Sequence, residues 1–389
     1  MAPGFPLIDL AGTAYECGRR YGRIVVERYP GYRRYLDMAW EWTSLSPDVR
    51  RLVESRAPYL IDLYRGLNES AGPPAQQVGR ARPAANSRAN AQEKDGGQCP
   101  PYGMNEPAAH GCTSFGVSGA WTASGGPLAG QNKDTVAESL RLYIILRIRI
   151  AGGPTILVLA YPGEVLGYGL WSTGMSLFRN SLYSLSDAAE GLTFVQWGLL
   201  ALASGSVPEA SDLAQRHGIA GSGNVLLTDA AGRTAAVEFN AGGVSVVPGR
   251  DGICVHANHP EGPLTSPLEH YPNAVEREHS RYRAARLRTL LESGCHASPR
   301  CPAEKHVPQR ARDMLLADNA RSMAPGGLAP AAVFAALADH GEHGRGLCRH
   351  AEEGVEEITT ASLVAEPSRG LLHAVRGQPC KNTPATYTL

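Results

Sequence analysis

The sequence predicts a layered α+β body, with antiparallel sheets packed on each other and helices outside. Three observations lead there. Leu142, Ile144, Leu146, Ile148 and Ile150 alternate with Arg141, Tyr143, Arg147 and Arg149, and Gly152-Gly153-Pro154 then turns into an apolar run from Thr155 to Tyr161. That is the pattern of a long antiparallel hairpin. Two segments of helical length, 193–204 and 207–217, follow. Strand-like runs resume at 224–229, 234–239 and 253–257, and again near 359–366 and 370–376, with helical stretches between the two groups.

In chain order, residues 1–72 read as helical. Leu60, Leu63, Tyr64 and Leu67 fall at i, i+3, i+4 and i+7 on one face, and Gly66 and Gly72 are expected to interrupt and close that helix. From Gly72 to Gly111 the composition shifts to Pro, Ala, Gly, Gln, Asn and Arg with little apolar periodicity, as in a connector. The 207–217 helix opens on a Ser206-x-x-Glu209 capping box and closes at Gly218. Glycine-containing turns separate the strands of 224–257, and further helices are expected at 280–292 and 329–340. No internal repeat is found.

Several function classes are excluded. Lys+Arg and Asp+Glu both count 37 in 389 residues, so the net charge is zero, and no basic block could coat a phosphate backbone. No nucleic-acid partner is expected. The N-terminus lacks a basic start and apolar run, and no stretch approaches the roughly 20 apolar residues of a membrane span. A cytoplasmic protein with no membrane partner is expected. Cysteines 17, 99, 112, 254, 295, 301, 348 and 380 include no Cys-x-x-Cys pair, and most read as buried apolar residues.

His340, His343, Cys348 and His350 lie close in sequence, and His256 and His259 form His-x-x-His, yet neither spacing matches a common zinc signature, so no metal is expected. Gly221-Ser222-Gly223-Asn224 precedes a strand instead of a helix, and no Gly-Lys-Ser/Thr or Gly-x-Ser-x-Gly occurs. Arg141, Arg147 and Arg149 read as the solvated side of a strand.

The chemistry concentrates at Gly111-Cys112-Thr113, followed downstream by Gly130-Gln131-Asn132-Lys133-Asp134. A catalytic thiol needs a base or a cationic neighbour. An N-terminal cysteine carries its own base, an α-amine with an unperturbed pKa of about 7.7–8.0. Exposing that amine requires a cut before Cys112. Gly111 suits the position, since without a Cβ it permits close approach of the attacking sulfur. An N-to-S acyl shift followed by thioester hydrolysis would make the cut.

Gly111-Cys112-Thr113-Ser114-Phe115 with Gly130-Gln131-Asn132-Lys133-Asp134 resembles the processing site of the acyl-coenzyme A:6-aminopenicillanic acid acyltransferase family of N-terminal-nucleophile (Ntn) hydrolases. Other elements are similar too: Gly12-Thr13-x-x-Glu16-x-Gly18-x-x-x-Gly22, Asn86-Ser87-Arg88, Val255-His256-Ala257-Asn258-His259, Cys348-Arg349-His350 and Thr359-Thr360-Ala361-Ser362. The resemblance implies a four-layer αββα Ntn sandwich. It also implies Cys112 as nucleophile, Asp134 as the acid that positions the new N-terminus or aids processing, and Asn258 as an oxyanion-hole donor. An Asn amide is a neutral donor suited to that role.

Two substrate-binding positions depart from the penicillin-making pattern. Asn240, after Glu238-Phe239, stands where a serine is found, and Glu357, after Glu352-Glu353-Gly354, stands where an arginine is found. An anion in place of a cation alters recognition of a charged substrate, which argues against penicillin synthesis. Related enzymes act on bile salts, ceramide-like amides and β-alanyl amines, so a small-molecule amide is the expected partner. Cleavage would divide the chain into 1–111, a helical segment and linker, and 112–389, the catalytic body, which remain associated.

The activity implied is a self-activated cysteine amidohydrolase working through a thioester, with no cofactor. One alternative is an acyl-coenzyme A-dependent N-acyltransferase, with acyl-coenzyme A as co-substrate. Another is a non-catalytic binding protein that keeps the fold.

Overall fold

The computed structural model describes residues 4–30, 36, 42, 45–71, 111–271, 273–293, 327–341, 345–351 and 357–389. The connector 72–110 with His110, the Asn86-Ser87-Arg88 element, His343, Glu352-Glu353-Gly354 and cysteines 99, 295 and 301 lie outside the described residues.

Alternation in β4 (Ile144–Ile150) explains the layering. Ile144, Leu146, Ile148 and Ile150 point to one apolar cluster, while Ile145, with Tyr143 just before the strand, points to another. β4 belongs to an eight-stranded sheet, in spatial order β1 (Leu7–Gly12), β4, β5 (Thr155–Ala160), β6 (Tyr168–Trp171), β7 (Met175–Asn180), β10 (Gly223–Asp229), β11 (Thr234–Asn240) and β12 (Gly243–Pro248). A six-stranded sheet runs β13 (Ile253–His256), β2 (Thr113–Val117), β3 (Leu128–Val136), β14 (Glu357–Glu366), β15 (Leu371–Arg376) and β16 (Ala385–Thr388). The short strands β8 (Leu192–Thr193) and β9 (Ile219–Ala220) pair separately.

Leu157, Leu159, Leu170 and Phe178 of the larger sheet meet Ala361, Leu363, Leu372 and Ala374 of the smaller one. Helices α1 (Ala14–Arg28), α2 (Pro47–Arg56), α3 (Tyr59–Ala71), α4 (Phe194–Ser204) and α5 (Val207–His217) pack on the outer face of the larger sheet. α6 (Ala274–Glu292) and α7 (Pro330–Leu337) pack on the outer face of the smaller one. The result is a four-layer αββα sandwich of the layered α+β class that the sequence predicted. No helix among the described residues is long and apolar enough to cross a membrane.

Some local expectations change. Leu7–Gly12, expected within a helical region, is an edge strand paired in parallel with β4, with Ile8 and Leu10 buried. Its alternation is too short to stand out beside the helices that follow. Gly66 does not interrupt α3. A Cβ there would strike the carbonyl of Tyr15, and one at Gly18 would strike that of Leu63, so α1 and α3 touch backbone to backbone.

Thr13 and Glu16 form a capping box on α1, which gives the Thr13-x-x-Glu16 element a physical reason. Ser206 accepts from the Glu209 backbone N–H, but the Glu209 carboxylate turns to Arg56 at 2.5 Å. β12 fills a segment expected to be turn, because an edge strand with mixed exposure has little apolar signature. Arg147 and Arg149 both reach Asp9 on β1, at 2.6 and 3.0 Å, so the arginine side of β4 is paired.

Candidate active site

Cys112 immediately precedes β2, a strand hydrogen-bonded on both sides, where Thr113 pairs with Asn132 of β3. The thiol is buried, and its Sγ lies 3.9 Å from the Asp134 carbonyl oxygen. Burial pushes the thiol up, and Lys133 pulls in the opposite direction. Lys133 is itself buried: Nζ donates to Tyr168 Oη at 2.7 Å and lies 4.5 Å from the centre of that ring.

Asp134 is held by one oxygen only. Thr359 Oγ1 donates to Oδ1 at 2.7 Å, while Oδ2 is buried with no hydrogen-bond partner among the described residues. Burial pushes the carboxyl up to about 6 against the pull of Arg349 and Arg283. The pairing of β3 with β14 shifts register between Thr359 and Ala361, next to this contact. The Arg349 backbone N–H donates to Thr359 Oγ1 at 2.8 Å, fastening the 345–351 segment over the same point. A Cβ on Gly111 would displace the end of the Arg349 side chain and come within 3.0 Å of Asp134 Oδ2.

The Gly111 carbonyl has a partner that sequence reasoning missed. Arg283 of α6 is fully buried, and its Nη1 donates to the carbonyl oxygens of Gly111 at 2.6 Å and Cys112 at 2.7 Å. Nη2 donates to Asn258 Oδ1 at 2.8 Å. Burial lowers its pKa from the ordinary arginine value, and Asp134 works against that shift. A signal did exist. Ser280, Arg283, Ala284, Leu287 and Leu291 fall on one buried helical face, and a lone arginine inside an apolar stripe asks for a partner.

Asn258 follows β13, the strand bearing His256. Its backbone N–H donates to Ser280 Oγ at 3.0 Å and its Nδ2 to the Ser181 carbonyl at 2.9 Å. His256 and Glu238 hold the loop that begins there. His256 Nε2 lies 2.6 Å from Glu238 Oε1, and its Nδ1 lies 2.8 Å from the Ala257 carbonyl. Burial pulls the imidazole down, but Glu238 outweighs it and raises the pKa. Burial likewise pushes Glu238 up, yet His256, Thr265 and the Glu261 N–H hold it at about 2. Glu238 also accepts from the backbone N–H of Gly262 at 2.8 Å.

Arg283 thus joins the 111–113 segment to Asn258, and the Cys112 thiol reaches Asp134 at its carbonyl oxygen. Glu357 belongs to the same neighbourhood, with Oε2 3.5 Å from Arg349 Nη1. Asn240 does not join it by any hydrogen bond. Its Nδ2 donates to the Thr265 carbonyl at 3.0 Å and its Oδ1 accepts from the Gly242 N–H at 2.8 Å, so the amide is committed to a turn. His340, Cys348 and His350, expected to hold no metal, come together with Cys380, which sequence spacing did not connect to them.

A family model described as acyl-coenzyme A:6-aminopenicillanic acid acyl-transferase matches residues 121–297. Similar solved structures include a mutant conjugated bile acid hydrolase from Clostridium perfringens, at 11% identity and TM-score 0.41, covering 72% of this chain and 97% of that one. The Caenorhabditis elegans ortholog of N-acylethanolamine-hydrolyzing acid amidase is similar at 13% identity and TM-score 0.36, covering 72% and 100%. Penicillin V acylase from Agrobacterium tumefaciens is similar at 14% identity and TM-score 0.30, covering 70% and 76%. No curated protein matches the sequence.

Proposed function

Taking the chain as a member of the acyl-coenzyme A:6-aminopenicillanic acid acyl-transferase family, we propose that it is a self-activating cysteine amidohydrolase of small amides or N-acyl amino compounds. The observation that carries this reading is the buried Arg283 guanidinium 2.6 Å from the Gly111 carbonyl oxygen, one peptide bond from a buried thiol. A cation on a carbonyl stabilises the oxyanion formed when a nucleophile attacks it.

In the precursor the Asp134 carboxylate, titrating near 6, takes the thiol proton, since a base poised near the working pH transfers protons best. The sulfur attacks the Gly111 carbonyl carbon; the C–S bond forms and the C–N bond to Cys112 breaks. The departing amine takes the proton from Asp134. Water then hydrolyses the thioester, leaving a Gly111 carboxylate and a Cys112 with both amine and thiol free. In turnover the amine accepts the thiol proton, Asp134 orients the amine, and the substrate carbonyl takes the place of Gly111 beside Arg283 and Asn258. Asn258 needs only to exchange the Ser181 carbonyl for the oxyanion.

Segments 1–111 and 112–389 stay together, because β1 remains paired with β4 and α1 and α3 keep their buried faces. Glu357 faces Arg349, so the two charges offset each other beside the acyl site. This favours a neutral or zwitterionic substrate. The family's name keeps transfer open as the second outcome: an amine in place of water would resolve the same acyl-enzyme, with acyl-coenzyme A as donor. Amide product appearing with excess amine would identify it.

Intact mass spectrometry of the purified wild type beside Cys112→Ala tests the reading without a known substrate. The wild type is expected to give two species divided at 111/112, and the variant a single full-length one. A wild type that is active yet uncut would overturn it.

A further inference from the structure

Three elements bring four soft donors to one point on the flank of the smaller sheet. His340 follows α7, Cys348 and His350 lie on the 345–351 segment, and Cys380 lies on the turn after β15. One ligand atom from each falls within 4.8 Å of all the others. We infer that His340, Cys348, His350 and Cys380 form a structural zinc site.

Four of the six ligand-to-ligand spacings fit a tetrahedron. Zinc bonds of about 2.3 Å to sulfur and about 2.0–2.1 Å to nitrogen imply edges of about 3.8 Å between sulfurs, about 3.6 Å from sulfur to nitrogen and about 3.3 Å between nitrogens. Here the two sulfurs lie 3.6 Å apart, the His350 nitrogen lies 3.6 and 3.2 Å from them, and the two imidazole nitrogens lie 3.0 Å apart. Two imidazole Nε2 atoms facing each other, with two thiols aimed at the same gap, offer more lone pairs than protons to share. A borderline-soft dication satisfies all four at once. With two thiolates and two neutral imidazoles the site is charge-balanced, and four protein ligands leave no position open for catalysis.

The surroundings hold the ligands in place. The Asp339 carbonyl accepts from the N–H groups of Leu347 and Cys348 at 2.8 and 2.9 Å, and its carboxylate receives Arg286 at 2.7 Å. Both cysteines are buried beside Ala338. Arg349, between two ligands, is the residue that lies against Gly111. The ion therefore fastens the segment that packs on the cleavage junction, while the site itself stands whether or not the junction is cut.

Untagged wild type from zinc-supplemented medium is expected to carry about one zinc ion per chain by elemental analysis. X-ray absorption should give a first shell of two sulfurs at about 2.3 Å and two nitrogens at about 2.0–2.1 Å. Chelation should lower Tm, with recovery on adding zinc but not magnesium. His340→Ala and Cys380→Ser are expected to lose the metal; if either fails to fold, the wild-type measurements decide alone. Wild type without stoichiometric zinc, a first shell of other composition, or a mass two hydrogens short that reductant restores, indicating a Cys348–Cys380 disulfide, would overturn the inference.

Discussion

Cys112 and the pair Cys348 and Cys380 are all buried thiols, and their neighbours differ in chemical kind. Around Cys112 stand a carbonyl acceptor, a lysine engaged by tyrosines, and a peptide carbonyl held by a cation. Around Cys348 and Cys380 stand two imidazoles and each other's sulfur, with no activated carbonyl in the cluster. Burial raises a thiol's pKa in any apolar setting; the groups within hydrogen-bond reach decide whether it becomes a nucleophile or a ligand.

Arg283→Met should separate the two regions most sharply. It removes the donor to the Gly111 carbonyl, so self-cleavage of fresh precursor, followed on a gel, should slow about 10²- to 10³-fold. Metal content should stay that of the wild type. Cleavage at the wild-type rate would mean that Arg283 only packs.

A smaller effect is expected at Asp134. If its carboxylate form is the base, as proposed, wild-type cleavage should rise as pH climbs through about 6. In Asp134→Asn that inflection should vanish and the rate should drop about 10²-fold. An unchanged inflection would assign the base elsewhere. Uncleaved Cys112→Ala protein offers a second readout. Asp134 is raised from 3.8 to about 6 in the fold, so the folded state binds the extra proton and loses stability as pH rises across that window. Adding Asp134→Asn should flatten the loss.

Gly66→Ala is expected to have the smallest effect, and one remote from both thiols. Its new methyl strikes the Tyr15 carbonyl and should lower stability by about 1–3 kcal/mol in urea unfolding. Cleavage in molecules that fold should be unaffected.

The layers were legible from the sequence because they rest on periodicity: the β4–β5 hairpin, α4, α5 and the strands β10, β11, β14 and β15 all carry it. That Cys112 and Asp134 come together was legible because Gly111-Cys112 and Asp134 sit in a recognisable pattern. β2 and β3, which position both, gave no such signal. β3 is almost wholly buried yet reads Gln131-Asn132-Lys133-Asp134, and strands covered on both faces lose the alternation that marks a half-buried one. Arg283 was hidden among the other arginines of α6, and only its helical phase singles it out. Asn240 was placed at the substrate by correspondence alone, whereas its amide closes a turn. Cys380 lies 32 residues beyond Cys348 in sequence, with the paired strands β14 and β15 between them.

N-terminal sequencing of purified, active wild type tests the central claim most directly. Two sequences are expected, one from the start of the chain and a second beginning Cys-Thr-Ser at Cys112. Active protein yielding only the first would contradict the account.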